Sequence, residues 1–276
     1  MKTRVAVWAG AAALVLLLGG AAWRVSRPAL PGGAPAAETL PLPPLPMRIA
    51  EGPEYERCLG MVDGDPEGAS DFAEGWAAQG GGDGAAHCAA LADIALGDPE
   101  GGAAGMETLA SNSHEPAVAR ASVFGQAGQA WLMAGRADRA VAAETRALAL
   151  SPDDPDLLVS RAEAEAGLER YAAAARDLTQ ALAFDPRRVD ALVERAAAWR
   201  ELGQIERARD DVDRAFAVDG GSAEAYLERG ILRQRMGDLA GARADWDAAV
   251  AKSPDTATGD LAQQNLALLE AGPERR

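Results

Sequence analysis

Residues 189–222 read VDALVERAAAWRELGQIERARDDVDRAFAVDGGS, and residues 223–256 read AEAYLERGILRQRMGDLAGARADWDAAVAKSPDT. Aligned without a gap, both stretches of 34 residues carry alanine at the twentieth and twenty-seventh places and a small residue at the eighth. The same period continues backwards through residues 155–188 and 121–154 with no insertion or deletion. A fixed period of this length is typical of a solenoid, in which each unit buries its apolar face only against its neighbours.

Three places in the unit carry small residues in all four copies, and they predict where helices cross. The residues are Gly128, Ala162, Ala196 and Gly230; Ala140, Ala174, Ala208 and Ala242; and Ala147, Ala181, Ala215 and Ala249. A side chain longer than a methyl group at such a crossing would hold the two helix axes apart. Between these places the apolar residues recur at helical spacing and do not alternate as in a strand. The sequence therefore predicts two helices per unit and an all-α fold.

This pattern resembles the tetratricopeptide repeat family, whose 34-residue helix–turn–helix unit has large, small, aromatic, small, aromatic and proline positions. The resemblance covers residues 121–256 as four repeats, 121–154, 155–188, 189–222 and 223–256, and implies a right-handed superhelix of helix pairs. Departures from the pattern are Glu165 and Arg233 for an aromatic residue, Glu144 for an apolar one, Glu169 for the turn glycine and Gly220 for the closing proline. None falls at a small crossing position, so they concern the groove and not the fold.

In the resembling family the first helices of successive units line a concave groove, mostly through the second, fifth, ninth and twelfth places. Carried over by position, the candidate partner-binding residues are Gln129, Leu132, Val159, Glu163, Val193, Arg200, Leu227, Ile231 and Gln234. Family members that hold a terminal carboxylate use lysine and asparagine at such places, and this chain has neither there. A mixed apolar and acidic groove suits an extended or helical segment with apolar anchors and some basic character. The alternative is that several of these residues only pack.

A second periodic feature pairs arginine with aspartate inside the repeats. The seventh and twenty-third places carry Arg161 and Asp177, Arg195 and Asp211, and Arg229 and Asp245 in units two to four. The first unit has Ala127 and Ala143 there, so both partners are absent together. We interpret each pair as an ion pair that joins the two helices of its unit. Arginines gathered to bind an anion are the alternative.

The segment before the repeats reads as an export signal followed by a spacer. Lys2 and Arg4 precede an uncharged apolar run at residues 5–23, which is close to the length that spans a bilayer. Residues 1–27 are therefore predicted to be a signal anchor, or a signal peptide cleaved after Ala22. Residues 28–50 form a Pro-rich linker, either a semi-rigid spacer or a ligand for an aromatic groove. A composition rich in alanine, glycine and arginine is typical of a high-GC bacterium, so we expect an inner-membrane, single-pass protein with a periplasmic domain, or a secreted periplasmic one.

Residues 51–120 have a helical pattern outside the strict register, and we interpret them as two degenerate helix pairs. Cys58 and Cys88 are the only cysteines, and in an exported segment they predict a disulfide. A metal site at His87 and Cys88 is the alternative, but it lacks further ligands. Residues 257–276 are predicted to be a C-terminal capping helix and a tail, since a solenoid must cover its last apolar face.

Charge and motifs exclude several classes of function. The formal net charge is −15, concentrated in residues 51–120, so a nucleic-acid partner is not expected. The acidic segment either steers a basic partner or is an ordinary solvated surface. Neither His87 nor His114 stands in a catalytic spacing, and no phosphate-binding or metal-binding motif is present.

The sequence therefore predicts a non-enzymatic scaffold without a cofactor, which binds a peptide or protein in its concave groove on the periplasmic side. An assembly factor for the envelope or for c-type cytochrome maturation is an alternative. An enzyme or metal carrier that uses His87 and Cys88 is the alternative of a different class.

Overall fold

The computed structural model describes residues 48–271, and every regular element in that range is an α-helix. The thirteen helices of the described range are α1 (Pro53–Val62), α2 (Pro66–Ala78), α3 (Gly82–Ala95), α4 (Pro99–Asn112), α5 (Ala117–Met133), α6 (Ala137–Leu150), α7 (Pro155–Gly167), α8 (Tyr171–Phe184), α9 (Val189–Glu201), α10 (Ile205–Val218), α11 (Ala223–Arg235), α12 (Leu239–Lys252) and α13 (Ala257–Ala271). The predicted signal segment at residues 1–27 and most of the predicted linker lie outside the described residues. Within residues 48–271, no helix has both the length and the apolar character needed to cross a membrane.

The sequence period reappears as the spacing of the helices. Helices α7, α9, α11 and α13 begin 34 residues apart, and so do α6, α8, α10 and α12. Each helix packs against the next, and the odd-numbered helices from α5 to α13 also contact one another in succession. The closely spaced odd-numbered row therefore forms the inner, concave side of the stack, and the even-numbered helices from α6 to α12 form the outer side.

The turn between the inner and outer helix of each unit needs a residue in the left-handed region. Gly135, Gly203 and Gly237 occupy this place with φ of 72°, 73° and 86°. In the second unit Glu169 adopts the same conformation with φ of 59°, and it is the one non-glycine residue with positive φ among residues 48–271. The turn is thus kept where the sequence departs from glycine, at the steric cost of a Cβ atom.

The small residues lie at the helix crossings, as their period predicts. All eight alanines at the twentieth and twenty-seventh places are fully buried. The eighth place adapts to the residue that covers it from the outer helix. It is alanine under Leu178 and Val212, but a Cβ atom on Gly230 would collide with Trp246, and one on Gly128 with Glu144. The shape and reach of the twenty-fourth side chain therefore decide whether alanine fits at the eighth place.

Helices α1 to α4 extend the stack before the strict repeats, and they are longer than their apolar patterns suggest. The large apolar residues of α4, Met106 and Leu109, lie in its C-terminal half, but the helix begins at Pro99. Asp65 and Asp98 cap α2 and α4 through backbone hydrogen bonds from Gly68 and Gly101. Glycine-rich first turns resemble loops in a sequence, and these caps and prolines make them helical.

Both ends of the described range are packed. Ile49, in the predicted linker, is buried in the main core, so the spacer ends before it. At the other end α13 covers Trp246 and Ala249 of α12 through Ala262. Its outward-facing residue Leu268 stays exposed.

Candidate partner-binding groove

The nine residues predicted to line the groove lie on the inner helices but differ in exposure. Gln129 and Gln234 are exposed, and Leu132, Glu163, Val193, Leu227 and Ile231 are partly buried. Val159 and Arg200 are buried, with 7% and 5% of their surface exposed. The accessible part of the groove therefore has polar ends and a partly apolar middle.

The apolar members also contribute to packing. Leu132 and Val193 pack against the main core, while Leu227 and Ile231 pack against the cluster formed by Ala242, Trp246, Ala249 and Ala262. Because α13 takes part in that cluster, the groove surface of α11 is partly covered. In the middle of the groove, on α7 and α9, Val193 is partly exposed and Val159 is buried.

Arg200 does not offer its charge to the groove, which corrects the prediction. Its Nε donates to Glu228 Oε1 at 2.7 Å and its Nη2 to Glu228 Oε2 at 3.2 Å, and a further hydrogen bond reaches Glu201. Arg235 closes the cluster by donating to the Arg200 carbonyl oxygen and to Glu201. Arg200 therefore joins α9 to α11 as a buried structural residue.

Two carboxyl groups in the middle of the groove lack such a partner. Glu194 Oε2 is buried and has no hydrogen-bond partner among residues 48–271. Burial, then the charge of Glu163, then that of Asp190 raise the pKa of Glu194 well above its ordinary value. Burial also raises the pKa of Glu163. The nearby guanidinium, that of Arg188, is already bound to Asp190 and Asp156.

Glu194 and Glu228 were missed because the sixth place is not among the four groove places of the resembling family. The signal that reveals them is a comparison between units. Glu228 has Arg200 at the twelfth place of the preceding unit, whereas Glu194 has Ala166 there. The sixth place thus carries glutamate in both units, but only Glu228 has an arginine partner. Among residues 48–271, Glu194 is left as a carboxyl group without a guanidinium.

The predicted arginine–aspartate pairs are present in all three units as two-pronged contacts. Nε and Nη2 of each arginine donate to Oδ2 and Oδ1 of the aspartate, at 2.6 and 2.9 Å for Arg161–Asp177, 2.7 and 2.7 Å for Arg195–Asp211, and 3.0 and 2.7 Å for Arg229–Asp245. In the first unit Ala127 and Ala143 are fully buried at the equivalent places. The pairs join the inner and outer helices of their units.

Cys58 of α1 and Cys88 of α3 form a disulfide, with their Cα atoms 6.2 Å apart. Both residues are fully buried. A cysteine in a disulfide has no thiolate for a metal ion, which argues against the hypothesis of a site at His87 and Cys88. Among residues 48–271 no group of three or more histidine, cysteine, aspartate or glutamate side chains is arranged to hold a metal.

His87 is engaged inside the protein at both ring nitrogens. The Tyr55 hydroxyl donates to Nδ1 at 2.6 Å, and Nε2 donates to Gln126 Oε1 at 2.7 Å. Burial lowers the pKa of His87 and raises the pKa of Tyr55 to about 12. The chain of hydrogen bonds links α1, α3 and α5, which gives His87 a structural role.

No protein-family model matches the chain. No curated protein matches it either. Solved structures do match it. A thermophilic tetratricopeptide repeat protein of Thermus thermophilus, TTC0263, is 19% identical with a TM-score of 0.53, over 66% of this chain and 95% of that chain. Residues 41 to the end of MamA from Desulfovibrio magneticus RS-1 are 17% identical with a TM-score of 0.52, over 61% of this chain and 93% of that chain.

A third similar structure is YrrB, described as a tetratricopeptide repeat protein with an unusual peptide-binding site. It is 17% identical with a TM-score of 0.50, over 67% of this chain and 91% of that chain. These likenesses, with the helix spacing, show that the chain has the tetratricopeptide repeat fold.

Proposed function

We propose that this chain is a non-catalytic scaffold that binds a segment of a partner protein in the groove lined by α5, α7, α9 and α11. The observation that carries the proposal is the middle of the groove, where half-buried apolar side chains such as Val193 adjoin carboxyl groups without a cation. Apolar side chains beside carboxyl groups without a partner are unfavourable at a surface that only contacts water. Such a surface is suited to binding a partner. The peptide-binding site named for YrrB supports the view that this fold accommodates such a segment.

The chemistry of the groove favours a segment with apolar and basic side chains. Val193 and Leu132 offer partly exposed apolar surface, and Glu163 and Glu194 offer carboxyl groups that can pair with a basic side chain. The formal net charge of −15 also attracts a basic partner at long range.

We also propose that the folded part works outside the cytoplasm of a bacterium, tethered by residues 1–27 or released after their cleavage. The apolar run at residues 5–23 and the Cys58–Cys88 disulfide support this location, because disulfides persist in oxidising compartments. Cell fractionation with protease treatment of spheroplasts tests it, and protection of the helical part inside intact spheroplasts would contradict it.

Site-specific photo-crosslinking tests the groove. A photoreactive amino acid replaces Gln129, which is exposed on the inner helix α5, or Ala183, which is exposed on the outer helix α8. We expect one partner protein to be captured in cells from Gln129 and not from Ala183. The captured protein is then purified, and its binding to the wild-type chain is measured.

A substitution in the middle of the groove tests whether binding of the partner is lost. Val193→Glu adds a charge to the partly apolar middle, and Ala183→Glu adds the same charge to the outer face. Circular dichroism verifies that both variants fold. The proposal requires that Val193→Glu weakens binding of the purified partner at least about tenfold, and equal binding by the two variants would place the site elsewhere.

A further inference from the structure

We propose that Glu163 and Glu194 form an acceptor for one arginine side chain of the partner segment. This inference rests on the proposed groove function and deepens it. The carboxylates of α7 and α9 bind the guanidinium, and the apolar side chains beside them contact the residues that flank the arginine.

The protein contains a template for this contact one unit further along. Arg200 of α9 places its guanidinium against Glu228 of α11 through two hydrogen bonds of 2.7 and 3.2 Å, with both residues almost fully buried. Two parallel hydrogen bonds to a carboxylate match the planar fork of arginine and not the ammonium group of lysine. The template therefore indicates arginine as the bound side chain.

The equivalent contact in the preceding unit has its acceptor but lacks its donor. Glu194 corresponds to Glu228, and Ala166 corresponds to Arg200. Ala166 ends in a methyl group where the template has a guanidinium, and its side chain is only partly buried. The contact that Arg200 makes between α9 and α11 therefore has no internal counterpart between α7 and α9.

The acceptor, like its template, has two carboxyl groups, because in the template Arg200 also donates a hydrogen bond to Glu201. Glu163 lies at the ninth place of its unit, and the residue at that place beside the template is Ala197. Glu163 and Glu194 are close enough for the charge of one to affect the other. One guanidinium compensates the charge of one ionised carboxylate, and the second carboxyl group accepts a further hydrogen bond from it.

Cations inside the described part of the chain do not fill this place. Arg188 is held by Asp190 and Asp156, and Arg161 is held by Asp177. Glu194 Oε2 has no hydrogen-bond partner among residues 48–271. No guanidinium of residues 48–271 is therefore hydrogen-bonded to Glu194 Oε2.

A variant without any partner tests whether the acceptor takes a guanidinium. Ala166→Arg supplies the missing side chain in the same place as Arg200. We expect its thermal midpoint to rise by about 2–4 °C, because an uncompensated carboxyl gains a partner. The rise should vanish when Glu194→Gln is added, and Ala183→Arg, which adds the same side chain on the outer face, should show no rise.

The second experiment uses a phage-displayed library of random 12-residue peptides, selected on the purified wild-type chain. We expect selected peptides to share one arginine between apolar residues, and synthetic versions with citrulline in its place to bind at least about tenfold more weakly. Glu194→Gln should weaken the arginine peptides by a similar factor, although removing an unpaired buried acid does not destabilise the protein. Ala166→Arg should block them, and Ala183→Arg should not.

The outcomes separate this inference from the function on which it rests. Peptides that bind the groove, compete with one another and are lost with Val193→Glu but contain no shared arginine would overturn the acceptor and leave the scaffold standing. Failure to select any peptide on the wild-type chain, together with no partner captured from Gln129, would overturn both. An Ala166→Arg variant with an unchanged midpoint in both backgrounds would overturn the acceptor alone.

Discussion

Glu144 is a fully buried carboxyl group inside the first repeat. Both of its oxygens are buried without a hydrogen-bond partner among residues 48–271. It stands at the place taken by Leu178, Val212 and Trp246 in the other units, and Gly128 leaves room for it. Burial raises the pKa of Glu144 well above its ordinary value, against a smaller opposing effect of the Arg161 charge. Burial of this carboxyl group without a hydrogen-bond partner therefore lowers the stability of the repeat.

We predict that Glu144→Leu stabilises the protein increasingly as pH rises. In the folded chain the pKa of Glu144 is raised, so the folded state binds more protons than the unfolded state at pH values between the two pKa values. The stability of the wild-type chain therefore falls as pH rises through this window, by up to about 1.4 kcal/mol per pH unit. Leucine removes this loss, and the difference between the two proteins should grow from about pH 4.5 towards neutral pH.

Urea titrations at several pH values measure the effect. Glu74→Leu is the control, because Glu74 is exposed on α2 and the substitution removes a carboxyl group that is already in water. A constant difference between Glu144→Leu and the wild-type chain across the pH range would show that Glu144 titrates normally.

At the scale of one helix pair, the arginine–aspartate contact joins the inner and outer helices of a repeat. These helices already pack closely because small residues lie where they cross. Arg161 and Asp177 have 22% and 12% of their side chains exposed, so the pair is partly desolvated. The first repeat shows that two buried alanines can stand at the same places. We therefore expect that removing one partner of the pair lowers the free energy of unfolding strongly. Removing both partners should lower it less than the sum of the two single losses.

A double-mutant cycle with alanine tests this expectation. Arg161→Ala or Asp177→Ala alone should lower the free energy of unfolding by about 2–3 kcal/mol, since each leaves a partner unpaired. The double variant, which reproduces the first repeat, should lose less than the sum of the two by about 1–2 kcal/mol. Strict additivity of the two losses would show that the contact is not energetically coupled.

What the sequence predicts at this scale depends on whether a contact stays inside the unit. The eight buried alanines follow from the period alone. So does the Arg195–Asp211 contact, because the arginine and the aspartate belong to the same repeat. Arg200 was wrongly placed in the groove, since its fate depends on Glu228 in the next unit. The glycine-rich start of α4 has no apolar pattern from which a helix could be predicted, because a cap at Asp98 makes it helical.

At the scale of the whole chain, the first helices before the strict repeats are tied to one another by a covalent bond. The Cys58–Cys88 disulfide closes a loop of 30 residues around α2. We predict that Cys58→Ala with Cys88→Ala lowers the stability of α1 to α3 by about 3–4 kcal/mol on the chain-entropy model. Hydrogen exchange of these helices measures the loss.

The later repeats provide the internal comparison for this variant. Because each unit contacts only its neighbours, exchange in α9 to α13 should stay unchanged. Protein isolated from its own cells should show the intact crosslink by mass spectrometry without reductant. Two free thiols there, or no change in exchange, would contradict a stabilising disulfide.

The hydrogen bond from His87 of α3 to Gln126 of α5 ties the first strict repeat to the helices before it. This contact bears on where a shorter fragment of the protein should begin. The first strict repeat begins at Ala121, but α5 starts at Ala117 and its Trp131 donates a hydrogen bond to Glu107 of α4. A fragment that begins at the repeat boundary would lack the first helical turn of α5. It would also expose the aromatic side chains of α5 to water, which favours aggregation. Recombinant fragments meant for crystallisation or binding assays should therefore start upstream of Ile49.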